Sequence, residues 1–148
     1  AMWVMGDEFG RTQHNHDNPY NIDGPLTWVD WGAAGEWHRL TAFVRELTAL
    51  RRAHPPQAFR FYGVGPQIDE GFLSHSLAWC SGGLYVMANA WWEPLTFEVQ
   101  EPGEWRVVLA TAVAQAQAQA RAAGVDAGRA GRYTLAPRSV VVLQRIGA

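Results

Sequence analysis

The sequence predicts a mainly β protein with one long helix, in which an antiparallel sandwich or barrel follows a long polar loop. Three observations support this fold class. Apolar residues recur at three- and four-residue steps in a single segment, 36–53. After Pro56 the period changes to two, over about six short segments. Before the helix, residues 6–35 show neither period and are rich in Asn, Asp, Gly and Pro.

The chain opens with an apolar run, Met2–Met5, which we predict to be a fully buried strand. The polar loop follows from residue 6 to about residue 35. Loops of this length inside a compact domain are usually functional or disordered. Because Trp28, Val29 and Trp31 lie near its end, we expect this loop to be anchored.

The next segment is predicted to form a helix from Glu36 to Ala53. Glu36 lies in its first turn and Arg51 and Arg52 in its last, as the helix dipole favours, and Pro55 ends it. Its predicted apolar stripe consists of Trp37, Leu40, Phe43, Val44, Leu47 and Leu50.

The remaining segments alternate with the period of a strand. Ser81, Gly82 and Gly83 separate two of them and predict a hairpin, whereas the Ala/Gln-rich segment 112–131 is predicted to be a mobile connection with a turn or two of helix. The predicted strands are 73–79, 84–91, 95–99, 105–109, 132–136 and 139–144.

The composition excludes several classes of function. Of 148 residues 48% are apolar and 18% charged, and the net charge of −2 does not suit a nucleic-acid partner. No apolar run reaches the roughly 20 residues of a membrane helix, so we expect no membrane partner. Cys80 is the single cysteine, which rules out an intrachain disulfide. No signal peptide opens the chain, which fits the cytoplasm. No nucleotide-binding fingerprint is present, and we expect no cofactor.

Eight tryptophans are many for a chain of this length. Aromatic side chains dominate the energetics of protein cores. An indole also offers a flat apolar face to the C–H face of a pyranose ring. Both interpretations, core packing and sugar stacking, remain open for each tryptophan at this point.

Two neighbouring carboxylates, Asp7 and Glu8, are the first candidates for chemistry. A retaining glycosidase needs two carboxyl groups about 5–5.5 Å apart that flank one bond. Neighbouring residues of an extended chain point to opposite sides. We therefore expect that these two residues do not form a catalytic pair by themselves, and that one of them holds the framework of the site.

His14, His16 and Asp17 are candidates for a metal site, since a bulged loop could bring them together. The alternative is that all three are solvated side chains of a polar loop. No second cluster of metal-ligating residues supports the site, and we favour the alternative and expect no metal.

Four sequence stretches together carry a resemblance to a known family. Residues 6–13 read GDEFGRTQ, and Trp28, Asp30 and Trp31 follow at the matching distance. Residues 84–97 and 137–143 then match two strands of a C-terminal domain. In this order they resemble the C-terminal end of isoamylase-type glycogen debranching enzymes, which are glycoside hydrolases of the α-amylase superfamily.

The resemblance implies two parts. Residues 1–55 would be the last strand, substrate-face loop and last helix of a catalytic (β/α)8 barrel, and residues 58–148 a C-terminal antiparallel β-sandwich. The family hydrolyses α-1,6 branches of glycogen-like glucans by a retaining mechanism. Its catalytic carboxylates come from barrel strands that this sequence does not contain, and we expect no catalytic residue here and no activity of the chain alone.

The resemblance also implies which residues would contact an α-glucan, the expected partner. Arg11, Asn18 and Asn21 would hydrogen-bond sugar hydroxyls and Tyr20 would stack on a ring. The residues expected to support the site structurally are Asp7, Glu8, Trp28, Asp30 and Trp31.

We further expect a homo-oligomer, because the strand 2–5 and the helix stripe would otherwise remain exposed. An alternative function is a non-catalytic glycan-binding or interaction module.

Overall fold

The computed structural model describes residues 2–32, 35, 37–112 and 131–147. The chain divides into two compact units, Ala1–Ala53 and His54–Ala148. The predicted Ala/Gln segment lies outside the described residues except at its ends. Among the residues described, there is no helix with the length and apolar character required to span a membrane.

The first unit consists of a one-turn 3-10 helix, Asp7–Phe9, a series of turns and the helix α1, His38–Ala53. Glycines with left-handed backbone flank the 3-10 helix, with φ of 100° at Gly6 and 80° at Gly10. A Cβ on Gly10 would lie 2.6 Å from the indole of Trp37. Glycine is therefore required at this position by both its backbone angle and its packing.

The predicted helix is confirmed, and its end at Ala53 agrees with the prediction. However, the helix buries none of its residues. Of the predicted stripe, Trp37 and Leu47 are exposed, and Leu40, Phe43, Val44 and Leu50 are half-buried. The amphipathic face is thus only partly covered within its own unit.

The predicted strand Met2–Met5 is wrong for this chain. These residues have no regular structure, and all four side chains are exposed, Met2 to 98%. A strand requires a neighbour for its backbone N–H and C=O groups, and here the N–H of Val4 donates to the carboxylate of Asp7 instead. An apolar run indicates which side chains favour burial but not whether a partner strand is present.

The described part of the second unit forms seven strands in two antiparallel sheets. The larger sheet has the order β1-β2-β3-β7-β5, and β4 pairs with β6. A mainly β fold with one helix and antiparallel sheets is therefore confirmed. The strands are β1 Arg60–Tyr62, β2 Ser76–Ser81, β3 Leu84–Asn89, β4 Leu95–Glu98, β5 Trp105–Ala110, β6 Arg132–Leu135 and β7 Ser139–Arg145.

The predicted hairpin is confirmed as β2–β3, in which Ser81 pairs with Leu84. Gly82 and Gly83 have φ of 57° and 78°, which is the left-handed pair that a tight two-residue hairpin turn needs. A Cβ on Gly82 would also lie 2.5 Å from the carbonyl oxygen of Pro55.

Both sheets contribute to one core. Phe97 of β4 and Leu135 of β6 are fully buried, and they cluster with residues of the larger sheet such as Tyr85 and Trp105. In β2 the buried side chains are Ala78 and Cys80, whereas the larger side chains of the opposite face remain half-buried. The small residues of β2 leave room for the aromatic side chains of the neighbouring strands.

Candidate functional site

The two neighbouring carboxylates hold the backbone at the start of the loop. Asp7 Oδ2 accepts a hydrogen bond from the N–H of Val4 (3.1 Å), and Glu8 Oε2 accepts one from the N–H of Gly6 (2.9 Å). The extended chain expected here is wrong, because both residues lie in the 3-10 helix. Each carboxylate is occupied by a local amide, which suits a framework rather than an acid–base pair.

Three contacts fix the beginning of the loop, and the first of them comes from α1. The hydroxyl of Thr41 donates to the carbonyl oxygen of Glu8 at 3.1 Å. Phe9 is buried, and its ring centroid lies 6.0 Å from that of Trp31. Trp37 packs over Gly10. The helix therefore holds the loop at Glu8, whereas Trp31 and Trp37 pack on loop residues from outside the helix.

The predicted glucan contacts lie along the next part of the loop. Arg11 Nη1 donates to Gln13 Oε1 at 3.1 Å, so its guanidinium is partly engaged within the loop. Asn18 Oδ1 accepts from the N–H of Tyr20 at 3.1 Å, which closes a turn and leaves the amide Nδ2 of Asn18 as a donor. Tyr20 is 93% exposed, and Asn21 is also exposed.

The end of the loop carries two exposed tryptophans. The indole N–H of Trp28 donates to Asp23 Oδ1 at 3.0 Å, and this contact fixes the ring while leaving 61% of the residue exposed. Trp31 is 71% exposed, and beside it Asp30 Oδ1 accepts from the N–H of Gly32 at 2.9 Å. These side chains stabilise local turns and present aromatic surface.

The candidate metal residues His14, His16 and Asp17 are all exposed. The backbone of His14 and Asn15 is left-handed, with φ of 46° and 64°. Within the described ranges, no three His, Cys, Asp or Glu side chains converge in a way that could hold a metal ion. The structure therefore gives the metal interpretation no support.

An apolar groove of about 620 Å³ lies in the first unit, on the side of α1 that faces the chain start. The groove was not predicted as a site from the sequence, although Val44 and Leu47 of the helix stripe form part of its wall. Its lining residues are Trp3, Asp7, Glu8, Val44, Leu47, Thr48 and Arg51.

A charged cluster around Glu101 was missed in the second unit. Glu101 Oε1 accepts from Arg60 Nε at 2.5 Å and from the hydroxyl of Tyr62 at 2.6 Å, and Glu101 Oε2 lies 3.5 Å from Arg145 Nη2. The hydrogen bond from Arg60 is the main cause that lowers the pKa of Glu101, and the bond to Glu101 raises the pKa of Tyr62. Burial raises the pKa of the nearby Cys80 thiol.

The Glu101 cluster joins β1 and the segment before β5 to the last strand, β7. Arg60 and Arg145 each pair with the carboxylate of Glu101, although the buried Arg145 Nε has no hydrogen-bond partner in the described part of the chain. Such ion-pair networks shift pKa values without any catalytic role. We therefore treat the polar loop, rather than this cluster, as the candidate functional site.

The fold is similar to part of several pullulanases of known structure. A pullulanase from Paenibacillus barengoltzii in complex with maltohexaose and α-cyclodextrin superimposes on 95% of the chain with a TM-score of 0.63 and 26% identity, over 22% of that protein. A pullulanase from an Anoxybacillus species in complex with maltotetraose covers 96% of the chain with a TM-score of 0.64 at 18% identity, over 20% of its own length. The second likeness shows the fold alone. No family profile matches the chain.

Sequence relatives narrow the relationship to glycogen debranching. The glycogen operon protein GlgX homolog of Mycobacterium tuberculosis is 34% identical over 91 residues, which are 62% of this chain and 13% of that protein. The glycogen debranching enzyme of an Enterobacter species is 44% identical over 54 residues, 36% of this chain and 8% of the enzyme. The predicted relationship to glycogen debranching enzymes is confirmed, and the chain spans only a small part of the length of these relatives.

Proposed function

We propose that this chain contributes the last barrel segment and the C-terminal sandwich of an enzyme that removes α-1,6 branches from glycogen-like glucans. The observation that carries this proposal is the fold match over 95% of the chain at 26% identity, together with relatives named for glycogen debranching. We also propose that the protein is cytoplasmic, as expected from the sequence.

The exposed apolar surfaces of the first unit support this role. In a closed barrel the segment 2–5 would have a strand on each side, and the partly covered stripe of α1 would pack on the sheet. In the chain as described, the same segment is exposed and the same stripe borders an open groove. The proposal therefore explains why an apolar strand sequence and an amphipathic helix lack complete cover.

The loop would form one wall of the substrate cleft, because loops after barrel strands line the substrate face. Tyr20 offers a free aromatic ring for stacking on a pyranose. Asn18, Asn21 and the guanidinium of Arg11 offer donors to sugar hydroxyls. The carboxylates of Asp7 and Glu8 would keep the loop backbone in place rather than react.

We also propose that the chain alone does not hydrolyse glucan. Retaining hydrolysis requires a nucleophile and an acid–base group on opposite sides of one bond. The neighbouring carboxylates of Asp7 and Glu8 instead accept hydrogen bonds from backbone N–H groups, at 3.1 and 2.9 Å. The test is a reducing-end assay of the purified chain with glycogen and with pullulan. Turnover above that of heat-inactivated protein would refute the proposal.

The glucan contact is tested by substituting the most exposed side chain of the loop. Isothermal calorimetry with maltoheptaose should show weaker binding for Tyr20→Ala by about 1 kcal/mol, the value of one aromatic contact. Tyr20→Phe is the matched control, because it keeps the ring and removes only the hydroxyl. Equal affinities for the alanine variant and the wild type would rule out stacking on Tyr20.

A further inference from the structure

A second group of aromatic side chains lies on the surface of the second unit, after β3. The indoles of Trp91 and Trp92 stack with a centroid distance of 3.8 Å and an interplanar angle of 22°. The ring of His75 meets Trp91 edge-on at 4.9 Å. Trp92 is 59% exposed and His75 is also exposed. We call His75, Trp91 and Trp92 the aromatic platform.

Hydrogen bonds hold the platform's backbone in place. The side chain of the buried Asn89 accepts from the N–H of Trp91 at 2.9 Å, and it donates to the carbonyl oxygens of Glu93 and Ala136 at 2.9 and 3.0 Å. The carbonyl oxygen of Trp91 accepts from the N–H of Arg138 at 3.0 Å. Since these bonds fix the residues on both sides of Trp92, a ligand would meet an ordered surface and little entropy would be lost on binding.

Core packing does not account for Trp92. The tryptophan that the core uses is Trp105, which is 1% exposed. Trp91 is half-buried and stacks on one face of the Trp92 indole. The other face of this indole is therefore exposed on a ring whose position is fixed. An exposed, preordered aromatic surface of this kind marks a binding site rather than a packing element.

The chemistry of the platform favours a neutral sugar polymer. Flat indoles match the C–H faces of pyranose rings, and the charged residues beside them, Glu93 and Arg138, are exposed and of opposite sign. A nucleic acid would also stack on aromatic rings, but it requires an excess of positive charge for its phosphates, and the chain carries a net charge of −2.

We propose that the aromatic platform is a second glucan-binding site, separate from the loop, which holds an α-1,4-linked glucan chain through the exposed face of Trp92. The choice of α-glucan rests on the function proposed above. The pullulanases that share this fold were crystallised with maltotetraose or maltohexaose. The platform would anchor the polymer, while chemistry would take place elsewhere.

The proposal is tested on the full 148-residue chain by NMR titration with maltoheptaose, following the indole N–H signals of Trp91 and Trp92. We expect both signals to shift with saturation. Trp92→Ala should weaken the binding reported by Trp91 about tenfold, as truncation of one aromatic anchor does. The matched control is Trp28→Ala, which removes another exposed tryptophan. In this variant the sugar should shift the platform signals as much as in the wild type. Trp92→Phe retains an aromatic face and should bind with intermediate affinity.

Several outcomes separate this inference from the proposed function. Shifts at the platform without shifts in the loop would support the platform and refute the loop as a glucan contact. Shifts in the loop alone would overturn the platform and leave the proposed function intact. Equal binding of cellohexaose would overturn the preference for an α-glucan. Signals of Trp92 that change with protein concentration but not with sugar would assign the platform to self-association, and would overturn the proposal.

Discussion

Replacing Phe97 with alanine should test whether the small sheet shares the core of the large one. Phe97 lies in β4, is fully buried and clusters with residues of both sheets. Truncating a buried phenylalanine costs about 3–5 kcal/mol, because the lost ring leaves a cavity that neighbours fill only partly. For a unit of this size each kcal/mol lowers the melting temperature by about 4–8 °C. We therefore expect a loss of about 12 °C or more by calorimetry.

The matched control is Phe72→Ala. Phe72 is fully exposed, and the same chemical change at an exposed position should alter stability by less than about 0.5 kcal/mol. A similar small effect for both variants would refute the shared core. It would mean that β4 and β6 form a peripheral hairpin which the large sheet does not need.

Three further predictions address the charged cluster, the hairpin and the groove. Arg60 lowers the pKa of Glu101, so the contribution of this group to stability is complete above the unfolded-state pKa and is lost as the pH falls through the folded-state pKa. Glu101→Gln should flatten the pH dependence of urea unfolding on the acid side, and an unchanged slope would contradict the cluster. Gly82→Ala should destabilise the chain more than Gly131→Ala. Both glycines have left-handed φ, which should cost an alanine about 1–2 kcal/mol, but only a Cβ on Gly82 would also meet a backbone oxygen at 2.5 Å. Equal urea midpoints for the two variants would exclude this clash. The wild type should self-associate through the apolar groove, and Leu47→Lys should prevent this. If light scattering shows the wild type as a monodisperse species of 16.4 kDa at all concentrations, self-association is refuted.

The sequence predicted the elements whose evidence is local. The helix was found because its apolar stripe extends over several turns, and the β2–β3 hairpin because two glycines follow alternating segments. The short strand β1 was missed, since three residues carry too little alternation to be recognised. The strand 2–5 was predicted wrongly, because an apolar run does not reveal the absence of a neighbour.

The prediction of sites was limited in the same way, since only residues close together in the sequence could be recognised. The loop was recognised from contiguous residues, so its candidate contacts could be named in advance. The cluster around Glu101 joins Arg60 and Arg145, which are about forty residues away on either side, and only the folded sheet brings them together. The aromatic platform was also invisible, because the sequence shows that Trp91 and Trp92 are adjacent but not that Trp92 remains exposed.

The most direct test of the proposed function is a map of backbone amide shifts when the chain is titrated with maltoheptaose. We expect saturable shifts in the loop, at Arg11, Asn18, Tyr20 and Asn21, and no release of shorter sugars during the titration. Sugar-induced shifts that avoid residues 6–31 altogether, or cleavage of an α-glucan by the chain alone, would contradict it.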